Sequence, residues 1–392
     1  MKKKVVSMAL AATMLGGVMA PTSASAALED YSIVTNAEDN KVIFDCDMGY
    51  LGDDAYCMYI LTQADAAGWI DLLGVTSVGG NEICATGANA ILNQLEAIDR
   101  TDIPVYVGTD VPIMGFRDLE KDQPITGGFQ WTGGYRELSQ YVSPNDYHNL
   151  GDLLNESWGY SKTDAQTDMN AAEFMIKSVK ENPGKVTIFA VGACTNVALA
   201  CMMDPTFAEN TAGIIYMGGA IDVPGNANVC GEFNWFYDPE SVQICLNNDF
   251  PYQIVVPHDI ASKVPLAKDV FDMMKEKNNT AITQLFMDRV YPSYEENPTQ
   301  SHYCWDAITA GIFLCPDLIT ETENRDLAID CNRTSYSYAN ATTWESGNGP
   351  YSSKNVQIVF NIDRDAFWTF VTDLYGTQRS EERRVGKECR SR

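Results

Sequence analysis

Four aspartates fall within ten residues, Asp45-Cys46-Asp47-Met48-Gly49-Tyr50-Leu51-Gly52-Asp53-Asp54, directly after the apolar run Val42-Ile43-Phe44. Carboxylates packed this closely repel one another unless a cation neutralises them. An all-oxygen donor set points to calcium or magnesium rather than zinc. Gly49 and Gly52 are expected to let the backbone turn tightly, so that both acidic pairs face one ion. Helix capping is the competing account, because Asp53 and Asp54 would complement a helix N-terminus. Capping explains only two of the four aspartates.

The elements that must position this cluster alternate between strand and helix. Lys41–Asp47 is a β-rich run, and Cys57, Ile60, Leu61 and Ala64 after it follow the helical period. Ile70–Val78, Pro104–Gly108, Lys185–Phe189, Gly213–Met217 and Tyr252–Pro257 read as further strands separated by helical patterns. This order predicts an α/β fold, one open, mostly parallel sheet flanked by helices. Ligands in such sheets bind at the carboxyl ends of the strands, which is where the aspartates lie. Past Pro257 the chain reads as mainly helical, and its last clear elements are Asn355–Ile362 and Arg364–Tyr375. The stretch from Gly115 to Asn170 reads as a long irregular insertion, of the kind that usually carries function.

Both ends differ from this pattern. Residues 1–26 combine Lys2, Lys3 and Lys4, an apolar stretch from Val5 to Ala20, and Ala24-Ser25-Ala26, the grammar of a cleaved export signal. The protein is accordingly expected to be secreted, periplasmic or held at the cell surface, with one domain at 27–378. Residues 379–392 reverse the charge sign, lack any apolar period and resemble a translated adaptor, so they are expected to be a non-native tail. The net charge is −26, and falls to −32 without the three lysines of the leader and the six basic and three acidic residues of the tail. Such acidity excludes nucleic acid as a routine partner. No later segment is apolar enough to span a membrane. The eleven cysteines include no C-x-x-C pair, and Cys57, Cys201 and Cys315 fall in apolar helical patterns as free thiols do.

The acidic motif, D-x-D-M-G-x-x-x-D-D after a strand, resembles the metal-binding signature of the nucleoside hydrolases, the inosine–uridine preferring family. The longer spacing between Gly49 and the paired aspartates resembles a bacterial branch. Val78-Gly79-Gly80-Asn81, Ala190 to Asn196, Met217-Gly218-Gly219, Gly225-Asn226, Glu232-Phe233-Asn234 and Trp305-Asp306 follow in the family's order. The resemblance implies calcium-dependent hydrolysis of the N-glycosidic bond of a ribonucleoside, with Asp47 as the ion ligand that also takes the proton from water. It implies Asp54, Asp306 and the Val191 carbonyl as further ligands. Asp53, Asn226, Glu232 and Asn234 match residues that bind ribose, and Met217 and Phe233 are expected to bind substrate beside them. Asn81 is expected to serve catalysis with Asp47 from beside the metal loop, and Asp45 supports that loop. Family members are commonly dimers or tetramers.

The chemistry agrees on its own terms. Cleaving an N-glycosidic bond passes through a ribosyl cation, which surrounding carboxylates stabilise.

The departing base is served differently. Several family members place a histidine before the distant aspartate to protonate it, whereas this chain has Trp305. An indole cannot donate a useful proton but can stack on a base. A purine-specific branch is similar here, which implies a slight preference for purines, and Trp131 in the Gly-rich insertion could supply the opposing face. His302, four residues before Asp306, is an alternative acid. A relative acting on another N-riboside, or binding without turnover, is the second reading. A phosphatase with an Asp45 or Asp47 nucleophile is the third, and leaves Asn226 to Asn234 unexplained.

Overall fold

The structure, a computed structural model, describes residues 28, 32–135 and 142–378. The expected leader at 1–26 and tail at 379–392 lie outside the described residues. The strands are β1 (Lys41–Cys46), β2 (Asp71–Ser77), β3 (Val105–Val107), β4 (Val186–Ala190), β5 (Gly213–Met217), β6 (Gln253–Val256), β7 (Leu266–Ala267), β8 (Ser301–His302), β9 (Ile319–Ile329), β10 (Ala341–Glu345) and β11 (Lys354–Ile362). Nine form one sheet in the order β10-β9-β11-β6-β5-β4-β1-β2-β3, and β7 pairs with β8 apart from it.

From β11 to β3 every pairing is parallel, while β9 runs antiparallel to both β10 and β11. The expected α/β sheet is therefore present. Alternate residues of β1 serve opposite faces: Val42 and Phe44 join one buried apolar cluster and Ile43 the other. A strand buried on both faces reads as a continuous apolar run, which is why β1 was legible.

The chain leaves β1 outward through β2 and β3, then returns to place β4 on the other side of β1. Such a reversal opens a crevice at the carboxyl ends of the two central strands. Asp47 follows β1 there, and Val191 follows β4. The helix Asp53–Ala67 starts beside that crevice and packs on the helix Trp305–Leu314, which brings Asp306 in from more than two hundred residues away.

Two expectations are refined. Past Pro257 helix outweighs strand, as expected, but the unexpected strands β9 and β10 join β11 in a three-stranded antiparallel extension of the sheet. The first half of β9 is Thr320-Glu321-Thr322-Glu323-Asn324, largely exposed and carrying no apolar period to reveal it. The described residues of the insertion from 115 to 170 are mostly irregular, as expected, but include the short helix Leu119–Thr126, capped by Asp118, and a 3-10 turn at Gly151–Leu153. Among the described residues no helix is long and apolar enough to cross a membrane, and ten cysteines are free thiols.

Candidate metal and ligand site

β1 sends Asp45 and Asp47 to different tasks. Asp45 is buried and its Oδ1 accepts hydrogen bonds from Thr76 Oγ1 at 2.5 Å and Asn196 Nδ2 at 2.8 Å, which ties β1 to its neighbours, while its Oδ2 has no partner. Asp47 Oδ2 accepts the Asn81 backbone N–H at 2.5 Å, and its Oδ1 has no hydrogen-bond partner. Gly80 and Gly192 make room for this carboxylate: a Cβ on Gly80 would overlap it, and one on Gly192 would stand 2.9 Å from Oδ1. The turn that follows is not made by its glycines as expected. Leu51 takes the left-handed conformation, with φ 51°, whereas Gly52 is extended at φ −79° and a Cβ on Gly49 or Gly52 would meet nothing.

Asp53, Asp54 and Asp306 each offer a carboxylate oxygen, and these oxygens lie within 4.8 Å of one another. Asp54 and Asp306 are buried, and each leaves Oδ1 without a partner. The tightest triad thus includes Asp53, which had been assigned to ribose, with Asp47 interacting alongside through Asp54. A buried carboxylate oxygen lacking any donor is costly. Three converging carboxylates, two of them with such an oxygen, fit a hard cation. Burial pushes Asp47 up to about 7 and Asp53 up to about 6. Asp54 and Asp306 stand well above the usual carboxylate range, first through burial and then through their acidic neighbours.

The residues matched to ribose binding form a second layer. Glu232 caps the helix Phe233–Tyr237: Oε1 accepts from the Asn234 N–H at 2.9 Å, and Oε2 from Gly219 at 2.9 Å and Trp235 at 3.2 Å. Asn226 Oδ1 accepts from the Phe233 N–H at 2.8 Å. Asn234 Nδ2 donates to the Val191 carbonyl at 2.8 Å and lies 3.1 Å from Met217 Sδ. Capping and ligand binding are therefore not alternatives at Glu232, since a carboxylate oxygen has lone pairs beyond those given to the backbone. The Val191 carbonyl already has one partner in Asn234. Burial raises Glu232 to about 7.

Two aromatic groups stand at the rim. Trp131 is 52% exposed, donates its indole N–H to Asn81 Oδ1 at 3.0 Å, and meets Phe233 edge-on. Trp305, half-buried, donates its indole N–H to His258 Nδ1 at 2.9 Å. His302 packs edge-on against Tyr294 on the β7–β8 ribbon, exposed. Nothing among the described residues joins it to the carboxylates. His258 was not singled out in the sequence, because no motif surrounds it; only the fold brings it to Trp305.

The profile of the inosine-uridine preferring nucleoside hydrolases matches residues 42–369. A probable uridine nucleosidase of Arabidopsis thaliana is 26% identical over 344 residues, covering 85% of this chain and 96% of that protein. A pyrimidine-specific ribonucleoside hydrolase of Escherichia coli is 27% identical over 342 residues, covering 86% and 97%. Among solved structures, a plant nucleoside hydrolase superposes with a TM-score of 0.69 at 23% identity, covering 86% of this chain and 99% of its own.

The raised carboxylates set a pH dependence with a definite sign. In the folded chain Asp47 and Asp53 titrate above the ordinary aspartate value of 3.8, so between about pH 4 and pH 7 the fold holds more protons than the unfolded chain. The metal-free fold accordingly loses their contribution as pH rises through that window, and a divalent cation restores it. Thermal unfolding in calcium chloride against chelator should show a larger stabilisation at pH 8 than at pH 5. Equal stabilisation at both would contradict this assignment.

Proposed function

This chain belongs to the inosine-uridine preferring nucleoside hydrolase family, and from that premise we propose that it hydrolyses the N-glycosidic bond of ribonucleosides with calcium as its cofactor. The observation that carries the reading is the set of partnerless carboxylate oxygens on Asp47, Asp54 and Asp306 at the sheet's switch point. Asp54 and Asp306, with Asp53 beside them and Asp47 adjoining, are the residues that would hold the ion. When bound, calcium supplies charge neutralisation and lowers the pKa of an adjacent water.

The remaining work belongs to the chain. Asp47 has one oxygen anchored by Asn81 and one free, so it accepts the proton as the water oxygen bonds to C1′. The C1′–N bond breaks and its electron pair leaves on the base. Positive charge develops on the ribose, and the surrounding carboxylates stabilise it more than they stabilise the neutral substrate. Asn226, Glu232 and Asn234 orient the ribose hydroxyls. Their own backbone and carbonyl bonds keep those side chains from reorganising as charge develops.

Trp305 and Trp131 receive the base by stacking. A purine offers more ring area than a pyrimidine, which supports a slight purine preference. The two curated relatives are named for uridine and for pyrimidines, which supports the opposite order. The family relative that turns over a different N-riboside remains the second reading, favoured by Trp305 where other members place an acidic histidine. We also read residues 1–26 as an export signal, which places turnover outside the cytoplasm.

The test is reducing-sugar release from inosine, adenosine, uridine and cytidine, with calcium and with chelator. Chelation should abolish turnover, and Asp47→Ala should lower kcat by about 10²- to 10⁴-fold, the usual scale for a removed general base. The ranking of the four nucleosides decides the base preference. Turnover that survives either the chelator or the substitution would refute the reading.

A further inference from the structure

Trp305 and His258 come from different elements and meet edge to edge, close to coplanar. Trp305 opens the helix that carries Asp306, and His258 lies two residues past β6. Their rings are 25° from parallel with centroids 6.1 Å apart. The backbone N–H of His258 donates to the Gly219 carbonyl at 2.8 Å, and the Gly219 N–H donates to Glu232 Oε2 at 2.9 Å. His258 is thus held by its imidazole to the aromatic residue beside the carboxylates and by its backbone to the Glu232 layer.

An indole nitrogen only donates, so the Trp305 Nε1–H at 2.9 Å requires His258 Nδ1 to be the bare, accepting nitrogen. A neutral imidazole then carries its proton on Nε2, for which the described residues provide no acceptor. An imidazolium would set Nδ1–H against the indole N–H. Burial lowers the histidine's pKa, and Asp259 opposes that shift. The Asp259 carboxylate is itself occupied by the backbone N–H groups of Ile221 and Asp222. Tyr303 faces the imidazole edge-on from the segment before Trp305, and Glu232 stands one bond beyond Gly219.

We propose that Trp305 and His258 form one base-recognition unit, in which Trp305 holds His258 as the Nε2–H tautomer and that N–H donates a hydrogen bond to a ring nitrogen or carbonyl oxygen of the departing base. The proposal rests on the hydrolase reading of the site. His258 keeps its proton throughout. The C1′–N electron pair goes to the base nitrogen, the hydrogen bond stabilises the charge that gathers on the base, and the base takes its proton from solvent. The role lost with the missing acidic histidine is thereby filled by a neutral donor.

Two measurements on the full chain test this. The first is ¹⁵N NMR of the histidines, of which there are three, with His258 assigned through His258→Gln. The neutral Nε2–H tautomer is expected at pH 7, and Trp305→Phe should release it to a mixture. An Nδ1–H tautomer or an imidazolium at pH 7 overturns the proposal, whatever the protein hydrolyses. The second compares inosine with p-nitrophenyl riboside, whose leaving group is a stable anion. His258→Phe should lower kcat on inosine by roughly tenfold to a hundredfold, the worth of one hydrogen bond to developing charge. On the nitrophenyl riboside the change should stay within about threefold. His258→Gln, whose amide can accept from Trp305 and donate onward, should restore most of the inosine rate. Equal losses on both substrates overturn the proposal. A wild type that turns over neither sinks the hydrolase reading, and this role with it.

Discussion

Burying carboxylates without counter-charge is among the most expensive things a fold can do, and this chain does it at one point with groups drawn from three elements. Asp47 follows β1, Asp53 and Asp54 open the next helix, and Asp306 arrives on a helix far along the chain. No lysine or arginine forms an ion pair with any of these four among the described residues. The arrangement makes physical sense as a receptacle for a cation, and the surrounding backbone is shaped to it. Gly80 and Gly192 let two loops close on Asp47, and the switch between β1 and β4 opens the crevice in which an ion and a sugar can sit.

The parts of the fold that could be read from sequence were those under the strongest local constraint. β1, β4 and β5 are buried on both faces, and appear as largely apolar runs ending where the chemistry begins. The acidic motif was legible for the same reason: few other purposes concentrate carboxylates after such a strand. What stayed hidden depends on long-range pairing. The polar half of β9 is a strand because β11 and β10 lie beside it, and its own residues carry no alternation of apolar side chains. The left-handed turn at Leu51 was hidden by neighbouring glycines, which looked better suited to it.

The same contrast runs through the site. Asp54 and Asp306 were recognisable by type and order, whereas the grouping of Asp53 with them, closer than Asp47, is a matter of geometry. Glu232, Asn226 and Asn234 have spacing that suits a sugar, yet each also serves the backbone around the helix Phe233–Tyr237. One set of bonds fixes the loop and the orientation of these three side chains together. His258 has no neighbours in sequence that mark it, and gains meaning only from the indole bonded to its Nδ1.

The central claim is that these aspartates are buried to hold one hard cation. Calorimetric titration of the metal-stripped protein with calcium measures this directly. One ion per chain should bind in the wild type, and the paired substitution Asp54→Asn with Asp306→Asn should abolish binding while the circular dichroism of the fold is preserved. Calcium failing to bind the wild type, or binding the doubly substituted protein equally well, would contradict the account.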